Sequence, residues 1–156
     1  MTLENGVWIP GRIGPGSRIG IVAPSGAVPR DRFEQGVAVI ESMGFSTKVH
    51  GDVFGSHRYL AGTDRQRADA LHRCFTDSDV DAVICARGGY GALRLLPYLD
   101  PTLIRRHPKP FIGFSDISVL LWTFYQHCGL ATFHGPVVTS LAGDDASSRD
   151  ALGRAL

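Results

Sequence analysis

The chain has 156 residues, a hydrophobic fraction of 44% and a formal charge of +1. Such a length and balance describe one ordinary globular domain with a full core. No polybasic tract supports nucleic-acid binding, and the longest apolar stretch, residues 119–125, is broken by Thr123 and too short to span a bilayer.

Residues 1–16 are rich in Gly and Pro without an apolar core, so they read as an N-terminal extension and not as a signal peptide. Residues 18–23 form a short apolar run closed by Pro24-Ser25-Gly26, a buried strand and its turn. Phe33, Val37, Ile40 and Met43 recur at helical spacing. Asp31 with Glu34 suggests the N-cap of that helix, and Gly44 its end. Residues 45–50 read as a second strand, and 51–62 as an aperiodic loop. Thr63 and Gln66 have capping-box spacing, with Leu71, Cys74 and Phe75 on the buried face of the helix they open.

The third strand, 80–86, is almost wholly apolar, as a strand covered on both faces should be. It runs into Arg87-Gly88-Gly89-Tyr90-Gly91, then a short helix over 93–99 that Pro101 closes. Arg105, Arg106 and Lys109 read as a solvated connection. A fourth strand over 110–114 leads into a helix over 116–127. A fifth short strand, 131–133, ends in His134-Gly135-Pro136. Residues 148–156 begin what reads as a further helix, so 143–156 is expected to lead toward a domain beyond this sequence. Strands separated by helices imply a mostly parallel sheet with right-handed crossovers, a three-layer α/β/α sandwich over residues 17–142.

Three cysteines, Cys74, Cys85 and Cys128, are widely spaced and odd in number, which fits buried thiols in a reducing compartment such as the cytoplasm. No Cys-x-x-Cys or His-x-x-x-His spacing occurs, so a structural zinc site is not expected, and no cofactor is anticipated. Gly14-Pro15-Gly16 precedes the first strand instead of following it, which fails the dinucleotide fingerprint. The later glycine loop lacks the Lys-Ser/Thr ending of a Walker motif.

In an open parallel sheet, ligands bind beyond the carboxyl ends of the strands. Ser25, Arg87 to Gly91, Ser115 and His134 all leave such ends. Ser115 sits where a strand turns into a helix, a position suited to a nucleophile, although a serine there can also simply cap the helix. The second glycine of G-x-S-x-G is replaced by Ile117. Asp116 reads as a structural residue whose N–H could hold an oxyanion. The Arg87–Gly91 loop could stabilise an oxyanion, cradle a phosphate, or form only a tight turn. Arg87 suits a carboxylate or a surface ion pair. Of six histidines only His134 lies within reach of the site, as a lining residue or a base. Residues 50, 57, 72 and 107 read as surface or capping histidines.

Five segments together resemble the N-terminal domain of the LD-carboxypeptidase family: Ile21-Val22-Ala23-Pro24-Ser25-Gly26, Leu60-Ala61-Gly62-Thr63-Asp64, Ala86-Arg87-Gly88-Gly89-Tyr90-Gly91, Ile112-Gly113-Phe114-Ser115-Asp116-Ile117 and His134-Gly135-Pro136. The family comprises muramoyltetrapeptide carboxypeptidases and microcin C self-immunity serine peptidases. The resemblance implies a flavodoxin-like or glutamine-amidotransferase-like sandwich. It implies Ser115 as nucleophile, with backbone N–H groups of Gly88 or Gly89 and Asp116 at the oxyanion. Arg87, Tyr90, Ser25 and His134 become candidates for substrate binding. The Glu and His of the family's Ser-Glu-His triad belong to a C-terminal domain outside this chain. The implied reaction removes terminal D-alanine from murein tetrapeptides, and full-length members are commonly homodimers. Two alternatives remain: cleavage of an acyl-adenylate analogue, and a non-catalytic module binding phosphate or a nucleotide.

Overall fold

Alternating side chains along the strands divide the apolar residues between two faces of one sheet. Ile19, Ile21, Ala82, Ile84 and Ile112 join one buried cluster, while Val22, Val83, Cys85 and Phe111 join the other. A sheet buried on both faces needs helices above and below it, and this chain supplies them. The structure, a computed structural model, describes residues 2–4, 6–143 and 146–156. Met1, Asn5, Asp144 and Asp145, which fall in the anticipated extension and linker, lie outside the described residues.

In chain order the elements are β1 (Thr2–Glu4), β2 (Val7–Ile9), β3 (Arg18–Val22), α1 (Arg30–Ser42), β4 (Ser46–Val49), α2 (Asp64–Thr76), β5 (Ala82–Cys85), α3 (Pro101–Arg106), β6 (Phe111–Gly113), α4 (Ser118–Cys128), β7 (Phe133–His134), α5 (Val138–Leu141) and α6 (Ala146–Ala155). The main sheet has the order β4-β3-β5-β6-β7, and every pairing is parallel. Side chains of α1, α5 and α6 fill one buried cluster, and those of α2, α3 and α4 the other. The sandwich expected from strand–helix alternation is the observed fold. Phe75, Phe111 and Phe124 form the aromatic centre of the second layer, with ring centroids 4.9–5.8 Å apart.

The capping box at Thr63 is present in full, with Gln66 reciprocating. The one anticipated at Asp31 is not. Pro29 occupies the N-cap of α1 without a side-chain bond, and Asp31 lies inside the first turn. Proline is also read differently further on. The segment after the glycine loop is a 3-10 helix over Ala92–Tyr98, and Pro101 opens α3 instead of closing the preceding helix, with Asp100 capping it. Arg105 and Arg106 therefore end a helix. Lys109 is half-buried, donating to the carbonyls of Cys74 and Asp77.

The N-terminal segment contains the β1–β2 hairpin. Trp8 exchanges backbone hydrogen bonds with Gly129 and Ala131, which ties the hairpin to the turn after α4. α6 packs back on this domain, burying Leu152 and Leu156. His50, expected at a polar surface, is nearly buried with Nε2 3.3 Å from Asp77. Desolvation lowers its pKa, outweighing the opposing pull of the Asp77 carboxylate.

Candidate active site

Ser115 follows β6 with a backbone φ of 63°, one of two positive-φ residues other than glycine among the described residues. Phe114 before it is fully extended, and Ser115–Ile117 form a 3-10 turn that runs directly into α4. For an L-residue the left-handed region costs about 1–2 kcal/mol, so surrounding structure must hold it there. The helix-cap alternative is not what this serine does. Phe114 takes the capping position, and the Ser115 hydroxyl has no hydrogen-bond partner among the described residues. The side chain is exposed, as a reacting hydroxyl requires.

The glycine loop closes over this serine. A Cβ placed on Gly88 would lie 3.1 Å from Ser115 Cβ and 3.3 Å from its Oγ. Only glycine lets the loop backbone come that near without moving the serine. Gly89 and Gly91 adopt left-handed backbone conformations, and the Gly88 carbonyl accepts from Gly26 N–H at 3.1 Å. The N–H groups of Gly88, Gly89 and Asp116 donate to no protein group among the described residues. Free donors beside an exposed hydroxyl can stabilise a negative oxygen formed there. The loop thus packs against the serine, which suits an oxyanion better than a separate phosphate.

Asp116 and Ser25 hold the arrangement from below. Ser25 is completely buried, and its hydroxyl donates to Asp116 Oδ2 at 2.6 Å. The same oxygen accepts Ala92 N–H at 2.8 Å. One carboxylate therefore links the loops after β3, β5 and β6. This placement makes Ser25 a strut behind the site, not a substrate-facing hydroxyl. The Asp116 carboxylate is occupied structurally, as its position beside the serine suggested.

Arg67 is the residue that sequence reading missed. Its side chain is buried, donating from Nε to the Gly62 carbonyl and from Nη1 to the carbonyls of Pro24 and Gly91. Nη2 pairs with Asp64, which also accepts a two-pronged contact from Arg94. The Arg94 bond, then that of Arg67, holds the Asp64 carboxyl below its usual range. The available signal was an arginine on the apolar face of α2, four residues before Leu71. Because the Gly62 and Pro24 carbonyls would lose their donor among the described residues, while Gly91 keeps the Arg94 N–H, Arg67→Met is expected to destabilise the fold by about 3–5 kcal/mol in urea unfolding.

Ser115 opens into a cleft of about 300 Å³ lined by Arg32, Arg87, Gly88, Phe114, Thr139 and Ser140, among others, with no acidic side chain among the described residues. Arg87 is exposed, and its Nη1 donates to the Ala27 carbonyl. Tyr90 is exposed outside that lining, beside Arg94. His134 is likewise exposed, and its ring meets Phe114 edge-on at 6.2 Å. It makes no hydrogen bond to Ser115 among the described residues. A larger cavity of about 390 Å³, with His50, Asp52 and Arg73 in its wall, lies under the 51–62 loop and does not include Ser115.

All three cysteines are buried free thiols. Burial pushes Cys74 to about 12 and Cys128 to about 11, with Cys85 also well above its ordinary value. None competes with the serine as a nucleophile near neutral pH. No group of metal-binding side chains occurs among the described residues, and no described helix is long and apolar enough to cross a membrane.

Comparison with known proteins places this geometry. The murein tetrapeptide carboxypeptidase of Pseudomonas aeruginosa is 46% identical over 125 residues, 80% of this chain and 40% of that protein. A solved protein from Bacillus anthracis, similar to the microcin immunity protein, superposes with a TM-score of 0.90 at 29% identity, over 96% of this chain and 47% of that one. The microcin C7 self-immunity protein in complex with aspartyl sulfamoyl adenosine superposes at 0.81 with 30% identity, over 89% of this chain and 42% of its own. The chain thus spans less than half the length of these relatives. The sequence profile of the LD-carboxypeptidase N-terminal domain matches residues 19–135, and with the serine turn and glycine loop in place the chain belongs to the LD-carboxypeptidase family.

Proposed function

We propose that this chain supplies the nucleophile-bearing half of a cytoplasmic serine LD-carboxypeptidase, which removes terminal D-alanine from murein tetrapeptides in cell-wall recycling. The observation that carries the reading is Ser115, held at φ 63° with a hydroxyl and three neighbouring backbone N–H groups that are unbonded among the described residues. The Ser115 oxygen attacks the carbonyl carbon joining the L-centre of the diamino acid to D-alanine. Its proton passes to a histidine, and the new oxyanion rests on N–H groups of Gly88 or Gly89 and Asp116. The C–N bond then breaks as the D-alanine nitrogen takes that proton. Water hydrolyses the resulting ester and restores the serine.

The histidine and its glutamate partner come from a C-terminal domain in the region of the relatives that this chain does not cover. That domain is the partner of residues 17–142, with 143–156 leading toward it, and the whole protein forms a homodimer. Arg87 offers a counter-charge for the free carboxylate of D-alanine. A second reading is favoured by the relative that holds aspartyl sulfamoyl adenosine. The same serine and loop would cleave an acyl-adenylate analogue, whose leaving group also carries polar oxygens next to the scissile nitrogen.

D-alanine release tests the division of labour. The 156-residue chain is expected to be slower than a chain extended by the C-terminal half by about 10⁴–10⁶-fold, because a nucleophile without its base retains only the oxyanion hole and binding. Equal turnover by the two would overturn it.

A further inference from the structure

The cleft beside Ser115 contains two arginines, and only one has an anchoring partner. Arg87 is fixed through its bond to the Ala27 carbonyl. Arg32 is exposed on the first turn of α1 and has no hydrogen bond or ion pair among the described residues. Its neighbour Arg30 is engaged elsewhere, with Glu34 and the ring of Phe54.

The packing of α1 explains why Arg32 is there. Gly36 lies four residues further along the same helix face. A Cβ on Gly36 would stand 2.0 Å from the Val138 carbonyl oxygen, so α1 and α5 touch backbone to backbone at that point. This contact brings Arg32 over the start of α5, where Thr139 is 7% exposed and lines the same cleft. The Thr139 hydroxyl has no protein partner among the described residues, although its N–H is bonded to the Ala86 carbonyl. Two cations and a nearly buried hydroxyl thus face one space that contains no carboxylate among the described residues.

We propose that Arg32, together with Arg87 and Thr139, forms a subsite for an anion on the leaving group, immediately beyond the scissile bond. The inference rests on Ser115 as the attacking group and adds a specificity-determining residue. In a carboxypeptidase substrate the anion nearest the scissile carbon on the leaving side is the terminal carboxylate. A guanidinium on each side of that carboxylate rewards an acid and rejects an amide, which leaves both cations unpaired. An acyl sulfamate would present its anion at almost the same place. The subsite is therefore defined by the anion, and the carboxylate is the expected occupant.

The test is a calorimetric titration of the chain with N-acetyl-L-lysyl-D-alanine, its C-terminal amide and an N-acyl sulfamoyl nucleoside, with the Nε–H resonances of Arg32 and Arg87 followed by NMR. The acid is expected to bind at least about tenfold more tightly than the amide and to shift both arginine resonances. Arg32→Gln should weaken the acid at least about fivefold, leave the amide unchanged and leave the melting temperature unchanged, with Arg32→Lys restoring part of the loss. A sulfamate bound more tightly than the acid, with the same dependence on Arg32, supports the subsite and transfers it to the adenylate-type substrate. An acid bound no better than the amide, including no binding of either, overturns the proposal, as does an unchanged Arg32→Gln variant. Failure of the Ser115 reading shows separately, as an extended chain that still turns over without its serine.

Discussion

Replacing Ser115 is expected to separate activity from stability. In an extended chain carrying the base, both Ser115→Ala and Ser115→Gly should lower D-alanine release by about 10⁶-fold, the scale on which serine hydrolases lose turnover without their nucleophile. Their effects on folding should differ. Alanine keeps a Cβ at φ 63° and so keeps the left-handed cost. Glycine removes it, and Ser115→Gly should be more stable than Ser115→Ala by about 1 kcal/mol in urea unfolding. A glycine variant less stable than the alanine variant would mean that the turn is not strained. The pairing matters because strain retained at an exposed hydroxyl is understandable only if the position of that hydroxyl is used.

Gly88→Ala should damage the chemistry with little damage to the fold. Gly88 has no left-handed backbone requirement, so alanine is allowed locally. Its methyl group would press on Ser115 Cβ, Ser115 Oγ and the Phe114 carbonyl at 3.1–3.3 Å. Relief requires a shift of a few tenths of an ångström in the serine, the loop N–H groups, or both. Loss of one oxyanion donor is worth about 10²–10³ in kcat, and a comparable loss is expected here. KM should change little, because the misplaced groups act on charge that develops only in the transition state. Unfolding by urea should stay within about 1 kcal/mol of the native chain. A Gly88→Ala enzyme with native kcat would remove the loop from the oxyanion role.

The layered fold was legible because its signal is redundant. Each central strand is short, apolar on both faces and followed by a helix, and Ile19–Ile21 with Ala82–Ile84 would fit little else. The 3-10 segment over Ala92–Tyr98 and the start of α3 at Pro101 were not legible. Proline stops a helix or begins one depending on the residue before it, and here Asp100 caps the new helix. The N-terminal hairpin escaped for another reason. Three-residue strands carry too little periodicity, and Trp8 finds its partner more than a hundred residues later.

The site divided in the same way. Ser115 and its glycine loop stood out because turn chemistry is local. The supports did not, since each depends on distant contact. Ser25, a candidate substrate contact, is buried against Asp116, ninety-one positions away. Arg67 ties together three loops that lie far apart in sequence. Arg32 and Thr139 come from separate elements, and nothing in either segment names the other.

Ser115 as nucleophile is tested most directly by covalent labelling. An extended chain would be treated with a fluorophosphonate, digested and mapped by mass spectrometry, with D-alanine release assayed in parallel. The expected result is a single phosphonylated residue, Ser115, with label and turnover both lost in Ser115→Ala. Label on another residue, or D-alanine release undiminished in Ser115→Ala, would contradict it.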